Sequence, residues 1–128
     1  MTIEQDLFSR LTAHAGLSAL LSTRLYPLLA PQDATLPYAT YQRISSPVLH
    51  TFARGAPATQ ARFQFDVYAA SALSAQQVAT QLRTALIAMT GDTVTVHEVL
   101  IASSHSDYER ETALFRESVD ALVIYGGT

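Results

Sequence analysis

The chain has 128 residues, 48% of them hydrophobic, with 8 basic and 11 acidic side chains and a net charge of −3. That length suits a single domain, which buries roughly two-thirds of its unfolded surface and needs no staple to hold a core. Cysteine is absent, which excludes a disulfide framework, a thiolate metal site and a cysteine nucleophile. A pI near 5.7 means that no overall basic field draws the chain onto nucleic acid, and no specific nucleic-acid binding is expected.

Every basic side chain is arginine. Arginine pairs well at protein interfaces, although GC-rich coding explains the same bias more simply. Charged residues make up only 15% where about 25% is usual, as expected of a surface that another subunit covers. The first residues, Met1-Thr2-Ile3-Glu4-Gln5-Asp6, lack a basic n-region and an apolar h-region, so no secretory signal is expected. No apolar stretch approaches the roughly 20 residues that span a bilayer, so no membrane partner is expected. The compartment implied is cytosol-like, unless a particle carries the protein out.

In chain order, Thr2-Ile3-Glu4-Gln5 reads as a capping box that opens a helix. Ile3, Leu7 and Leu11, with Phe8 and Ala15, recur at helical spacing, and Gly16 supplies the stop. Leu17, Leu20 and Leu21 line one side of a second short helical turn. Arg24-Leu25-Tyr26-Pro27 leaves in extended form, and residues 31–37 form a loop between two prolines.

From Tyr38 the period becomes two. Residues 38–44 are aromatic and β-branched, as a strand requires. The clearest strand covers residues 61–69. Ala61, Phe63, Phe65, Val67 and Ala69 line one face, and Arg62, Gln64, Asp66 and Tyr68 line the other. One face therefore lies on a core and the other faces solvent or a partner. Between these strands, residues 45–60 hold Pro47, Gly55 and Pro57 with the apolar Val48, Leu49 and Phe52. They read as a long hairpin or arm extending beyond the body.

Ser74-Ala75-Gln76-Gln77 reads as a second capping box, starting a helix that carries Val78, Leu82, Leu86 and Met89 to about Thr90, with Gly91 as its end. Residues 93–103 alternate weakly and read as a strand. Residues 113–125 form the last one. Phe115, Val119, Val123 and Tyr125 share a face, while Arg116, Ser118 and Asp120 face the other way until Leu122 and Ile124 turn that side apolar too. Such a strand is covered on both sides, by the fold or by a partner. The order of elements predicts an α+β fold, an antiparallel sheet with helices packed on one face.

Motifs for chemistry are absent. His14, His50, His97 and His105 are scattered over different elements, with no H-x-H or H-E-x-x-H spacing, so no metal site is expected. Asp107-Tyr108-Glu109-Arg110-Glu111 sets carboxylates on alternate positions, yet it lacks the glycine and the oxygen ligands of a calcium loop. Arg110 is at hand to neutralise the run, which reads as a solvated or interface-facing loop. Nucleophile elbows and phosphate-cradling glycine loops are missing, and the lack of lysine excludes Schiff-base chemistry. No catalytic residue and no cofactor is expected.

Several short motifs, taken in order, resemble those of the small tail-completion (tail-terminator) proteins of long-tailed bacteriophages and prophages. They are the opening amphipathic helix, Arg24-Leu25-Tyr26-Pro27, Leu36-Pro37-Tyr38-Ala39-Thr40-Tyr41, Phe65-Asp66-Val67-Tyr68-Ala69 running into a helix, Asp107-Tyr108-Glu109, and Phe115-Arg116 in the final strand. The likeness spans residues 3–125. It implies a structural virion protein of the tail and head–tail joint, assembled in the host cytoplasm. The expected form is a homo-oligomeric ring, a hexamer, that caps the head-proximal end of the tail tube. It would stop tube polymerisation and meet a head–tail connector or head-closure protein on one side and the tail-tube protein on the other. Exposure and charge then single out Val48, Leu49, Phe52, Arg54, Arg62, Asp107, Tyr108, Glu109 and Arg110 as interface residues. Arg54 and Arg62 would pair with the acidic run across the contact. Two other readings stay open: a neighbouring neck or tail-tube subunit, and a small ligand-binding or enzymatic α+β domain with its pocket between helices and sheet.

Overall fold

Ile3, Leu7 and Leu11 fall four apart, which places them on one side of a helix. α1 (Ile3–Ala13) buries all three. The computed structural model describes residues 3–44, 48–51, 57–89 and 96–126, so the capping box at Thr2 lies outside the described residues. α1 ends sooner than Gly16. The break comes at His14, whose backbone is extended and whose Nδ1 accepts a hydrogen bond from Leu17 N–H at 3.2 Å, capping α2 (Ala15–Leu21). Gly16 therefore sits inside the second helix. A Cβ there would meet the tip of the Gln81 side chain, which is flexible and can turn aside.

The extended segment after α2 becomes a short strand, β1 (Leu25–Pro27), which runs parallel to β2 (Tyr38–Arg43) with Leu25 opposite Ala39. Among the described residues this is the one parallel pair in an otherwise antiparallel sheet. β3 (Val48–Thr51) and β4 (Pro57–Ala69) pair as an antiparallel hairpin, Val48 opposite Gln60 and Thr51 opposite Pro57. Residues 45–47 and 52–56, which complete the expected arm, lie outside the described residues.

α3 (Ala72–Ala88) starts earlier than the Ser74 box implies. Ser71 is the N-cap, with extended backbone and an Oγ that accepts from Ser74 N–H at 3.1 Å. Ser74 thus occupies the first turn. The capping-box signature falls on Ser74, but the serine nearer the end of β4 takes the helix start by accepting from the Ser74 amide. Thr90 and Gly91, the expected stop, lie outside the described residues, and the last cap described is Met89.

β5 (Val96–Glu109) and β6 (Leu114–Tyr125) form a long antiparallel hairpin. β5 runs six residues past the expected end at Ser103, so the acidic run is mostly strand, with Arg110 in the turn beyond it. Ser103-Ser104-His105-Ser106 carries no alternation of its own. Its pairing with residues 117–120 of β6 makes it a strand.

The sheet order is β1-β2-β4-β6-β5, with β3 on β4. The inward face of β4 and β6 is apolar: Phe63, Phe65, Val67, Val119, Ala121 and Val123 are fully buried. Leu7, Leu11, Leu17, Leu82 and Leu86 of the three helices pack into the same cluster. The fold is α+β, with helices over one face of the sheet as the patterning predicts. Leucines and phenylalanines fill the centre of the space between helices and sheet, while a cavity of about 490 Å³ opens between α1 and the strands β1 and β2, lined by Gln5, Phe8, Ser9, Pro27 and Tyr41.

Candidate partner-binding face

Among the described residues, the opposite face of the sheet carries no helix, and its chemistry is mixed. Strand register builds it in rows. Tyr38 of β2 lies opposite Tyr68 of β4, which lies opposite Arg116 of β6, which lies opposite Asp107 of β5. The neighbouring rows run Thr40, Asp66, Ser118, His105 and then Gln42, Gln64, Asp120, Ser103. The next row is Arg62, Leu122, Leu100, and beyond it Gln60, Ile124, Glu98.

Hydrogen bonds knit the polar rows together. Arg62 Nη2 donates to Asp120 Oδ2 at 2.6 Å, Ser118 Oγ donates to Asp66 Oδ1 at 2.5 Å, and Gln64 Nε2 lies 3.1 Å from Asp66 Oδ2. Arg116 Nη2 donates to Asp107 Oδ2 at 2.7 Å, with Nη1 3.6 Å from Glu109 Oε1. Tyr26, Tyr38 and Tyr68 pack in sequence, edge-on at 6.2 Å and then stacked at 5.1 Å between centroids. Asp66 and Ser118 are only 8% and 3% exposed on a face with no second layer, because the long side chains around them serve as their cover.

Electrostatics follow this packing. The Asp107 carboxyl is held below its ordinary value, first by the backbone N–H of Tyr108, against a smaller penalty of burial, and then by Arg116. Burial pushes the Tyr38 and Tyr68 phenols up, and for Tyr38 the neighbouring Tyr68 and Glu109 add to it. The Asp107 carboxylate is thus favoured in its charged form and the Tyr38 and Tyr68 phenols in their neutral one. Such a face can hold hydrogen bonds and stacking contacts.

At the other end of the rows the face turns apolar. Leu122 and Ile124 are half-buried, and Leu100 is 46% exposed. The sequence expectation of a β6 apolar on both sides thus meets half-covered side chains in the isolated chain.

The structure distributes the expected interface residues unevenly. Arg62, Asp107 and Glu109 lie on this helix-free face. Tyr108 points to the other side and packs its ring 4.7 Å from that of Phe115. Arg110 is exposed in the turn. Val48 and Leu49 stand on β3 opposite Gln60 and Thr59, while Phe52 and Arg54 lie outside the described residues. Arg62 is already paired with Asp120, and the acidic run is neutralised by Arg116 rather than Arg110. Sequence reasoning missed the tyrosine stack and the role of Arg116. Both are products of strand register, although the alternation in residues 114–125 did place Arg116 and Asp120 on the correct face.

Among the described residues, no helix is long and apolar enough to cross a membrane. No curated protein matches the chain in sequence. Among solved structures, a chain of the "Virion of native gene transfer agent (GTA) particle" has the same fold. It has a TM-score of 0.71 and 16% identity, and the match covers 94% of this chain and 92% of that one. The family model described as Tail completion protein gp17 matches residues 5–126, nearly the whole length. The chain therefore belongs to the tail completion protein gp17 family and is a structural protein of the phage tail.

Proposed function

We propose that the protein caps the head-proximal end of the tail tube as a ring of identical copies, six in number, ending tube polymerisation and forming part of the head–tail joint. The observation that carries this reading is the family match over residues 5–126. The fold likeness to a chain of a gene transfer agent virion is consistent with it. Its partners in this reading are further copies of itself, the tail-tube protein below and a connector or head-closure protein above. Its work is mechanical, with no turnover.

The chain has surface suited to such a role. A sheet with helices on one side only leaves its second face for a partner, and half-covered Leu122, Ile124 and Leu100 gain from being buried there. The β3–β4 hairpin, with Val48, Leu49, Phe52 and Arg54, reaches the next copy in a head-to-tail contact. Contacts of that type close into a ring when the rotation between copies allows it. Arg62, Asp107, Tyr108, Glu109 and Arg110 add polar contacts at the rim.

Native mass spectrometry and electron microscopy of the purified protein test the ring, with closed rings of one size as the expected result. Particles made without the protein test the role. Overlong tails are expected, and tails of ordinary length in the deletion would defeat the proposal.

A further inference from the structure

Between Ile101 and Ser103 the pairing of β5 with β6 skips a residue. Ile101 stands opposite Ala121 and Ser103 opposite Asp120, so Ala102 faces no residue of β6. This β-bulge decides the chemistry of the helix-free face. Before it, Leu100 lies on that face opposite Leu122; after it, Ser103, His105 and Asp107 do. An unbroken register would turn every later residue of β5 to the other side. Asp107 would then stand opposite Phe115 instead of Arg116. Bulges that re-aim side chains in this way are features of a fold rather than defects.

The residue opposite the bulge is singular too. Asp120 takes Arg62 through Oδ2 alone, at 2.6 Å. Its Oδ1 is buried, and no described residue gives it a hydrogen bond. Buried acceptors of this kind are found paired, with protein or with ordered water. Beside it lies a small cavity of about 20 Å³, lined by Gln64, Ser103, His105, Ser118, Val119 and Asp120. That volume exceeds the roughly 10–15 Å³ that admits one water, and it is too small for a larger ligand. Of the lining residues only Val119 is apolar.

We infer that one ordered water occupies this cavity, donates to Asp120 Oδ1 and ties it to Ser103 at the bulge. Its other hydrogen bonds come from the polar groups around it, Gln64 of β4, His105 of β5 and Ser118 of β6, within the roughly two to four that a buried water makes. A neutral occupant suits the site. Arg62 already supplies the positive charge beside Asp120, and among the described residues no three metal-ligating side chains gather. The water therefore bridges three strands where the β5–β6 ladder is interrupted. It holds the register that sets Ser103, His105 and Asp107 on the candidate partner-binding face. This site is a property of the single chain and does not depend on the ring.

The test uses the full chain in three forms: unaltered, Ser103→Val and Ser104→Val. Both serines are exposed on β5, valine suits a strand, and successive side chains point to opposite faces. Each variant should therefore fold, which unfolding curves check, and only Ser103→Val puts methyl groups at the cavity. In a crystal structure that resolves waters, the unaltered chain and Ser104→Val show one water about 2.8 Å from Asp120 Oδ1. In solution both give a nuclear Overhauser contact between a long-lived water and the Ser103 amide. Ser103→Val loses both signals, and its amides around Ala102 exchange with solvent roughly twofold to tenfold faster, the weight of one hydrogen bond. A protein group on Asp120 Oδ1 in the unaltered chain, no water there, or a metal ion bound by several oxygens would each overturn the inference. So would a folded Ser103→Val that keeps the water and the exchange rates of the unaltered chain.

Discussion

Arg116 of β6 reaches across the hairpin to Asp107 of β5, Nη2 to Oδ2 at 2.7 Å, while the two residues stand directly opposite each other in the strand register. On its other side Arg116 stands directly opposite Tyr68 of β4 in the strand register. One guanidinium therefore links the two strands of the hairpin on the sheet face away from the helices, meeting Asp107 and Glu109 together. Its planar fork is what permits this, since a lysine ammonium cannot serve both carboxylates in fixed directions.

Replacing Arg116 by alanine leaves Asp107 and Glu109 facing each other without a cation. The site is partly exposed, with the arginine side chain at 27%, so solvent screens much of the loss. The expected destabilisation is about 1 kcal/mol, read as a lower urea midpoint with an unchanged slope. Arg116→Lys should recover less than half of it.

The pH response of this pair has a fixed sign. Asp107 titrates below its ordinary value of 3.8, chiefly because its carboxylate accepts the Tyr108 N–H, with Arg116 adding to the shift. The folded chain thus holds this proton less tightly than the unfolded one, and stability rises with pH through that range. The contribution is present above the ordinary value and is lost as pH falls through the lower, folded one. Asp107→Asn should therefore lower the urea midpoint at pH 6, and the gap to the unaltered protein should close in strongly acidic solution. A gap that stays constant with pH would show that the carboxylate's charge plays no part.

Helix α3 allows a direct choice between two caps. Ser71 Oγ accepts the Ser74 amide at 3.1 Å, whereas Ser74 lies within the first turn. Ser71→Ala should cost about 1 kcal/mol, the usual loss for an N-cap hydroxyl. Ser74→Ala should cost almost nothing, since alanine is the better helix former. Equal losses from the two variants would restore the capping box that the sequence suggests at Ser74.

What could be read from the sequence alone follows the range of the interactions involved. β4 was legible because Phe63, Phe65 and Val67 alternate with Gln64, Asp66 and Tyr68, and each residue's face depends only on its neighbours. The α3 stripe of Val78, Leu82 and Leu86 was legible for the same reason. The start of α3 was not, because the capping-box signature falls on Ser74 while the cap itself is Ser71, which lacks one. The strand character of residues 104–109 was hidden too, since a serine-rich run becomes a strand only through its partner β6. The same limit governs the candidate face. Arg62, Asp107 and Glu109 could be named from their charge, but their partners Asp120 and Arg116 depend on a register that one strand does not encode. Arg110 looked like the neutralising cation only while its segment read as a loop.

Leu122 separates the needs of the fold from those of the assembly. It stands in a row between Arg62 and Leu100 on the helix-free face and is half-buried in the isolated chain. Leu122→Gln brings a side chain one atom longer than leucine and unbranched at Cγ, and it adds no charge beside Arg62. In the purified protein it removes only partial burial, so the unfolding free energy should change by about 1 kcal/mol or less. In the particle the same residue is covered by a virion partner, under the function proposed above, and glutamine there leaves a polar group without a hydrogen-bond partner in an apolar contact. Complementing a deletion with this variant should give a soluble, folded protein that fails to restore normal tail length. Tails of ordinary length would mean that this face stays open to solvent in the assembled particle, and that the apolar second half of β6 has no partner to meet.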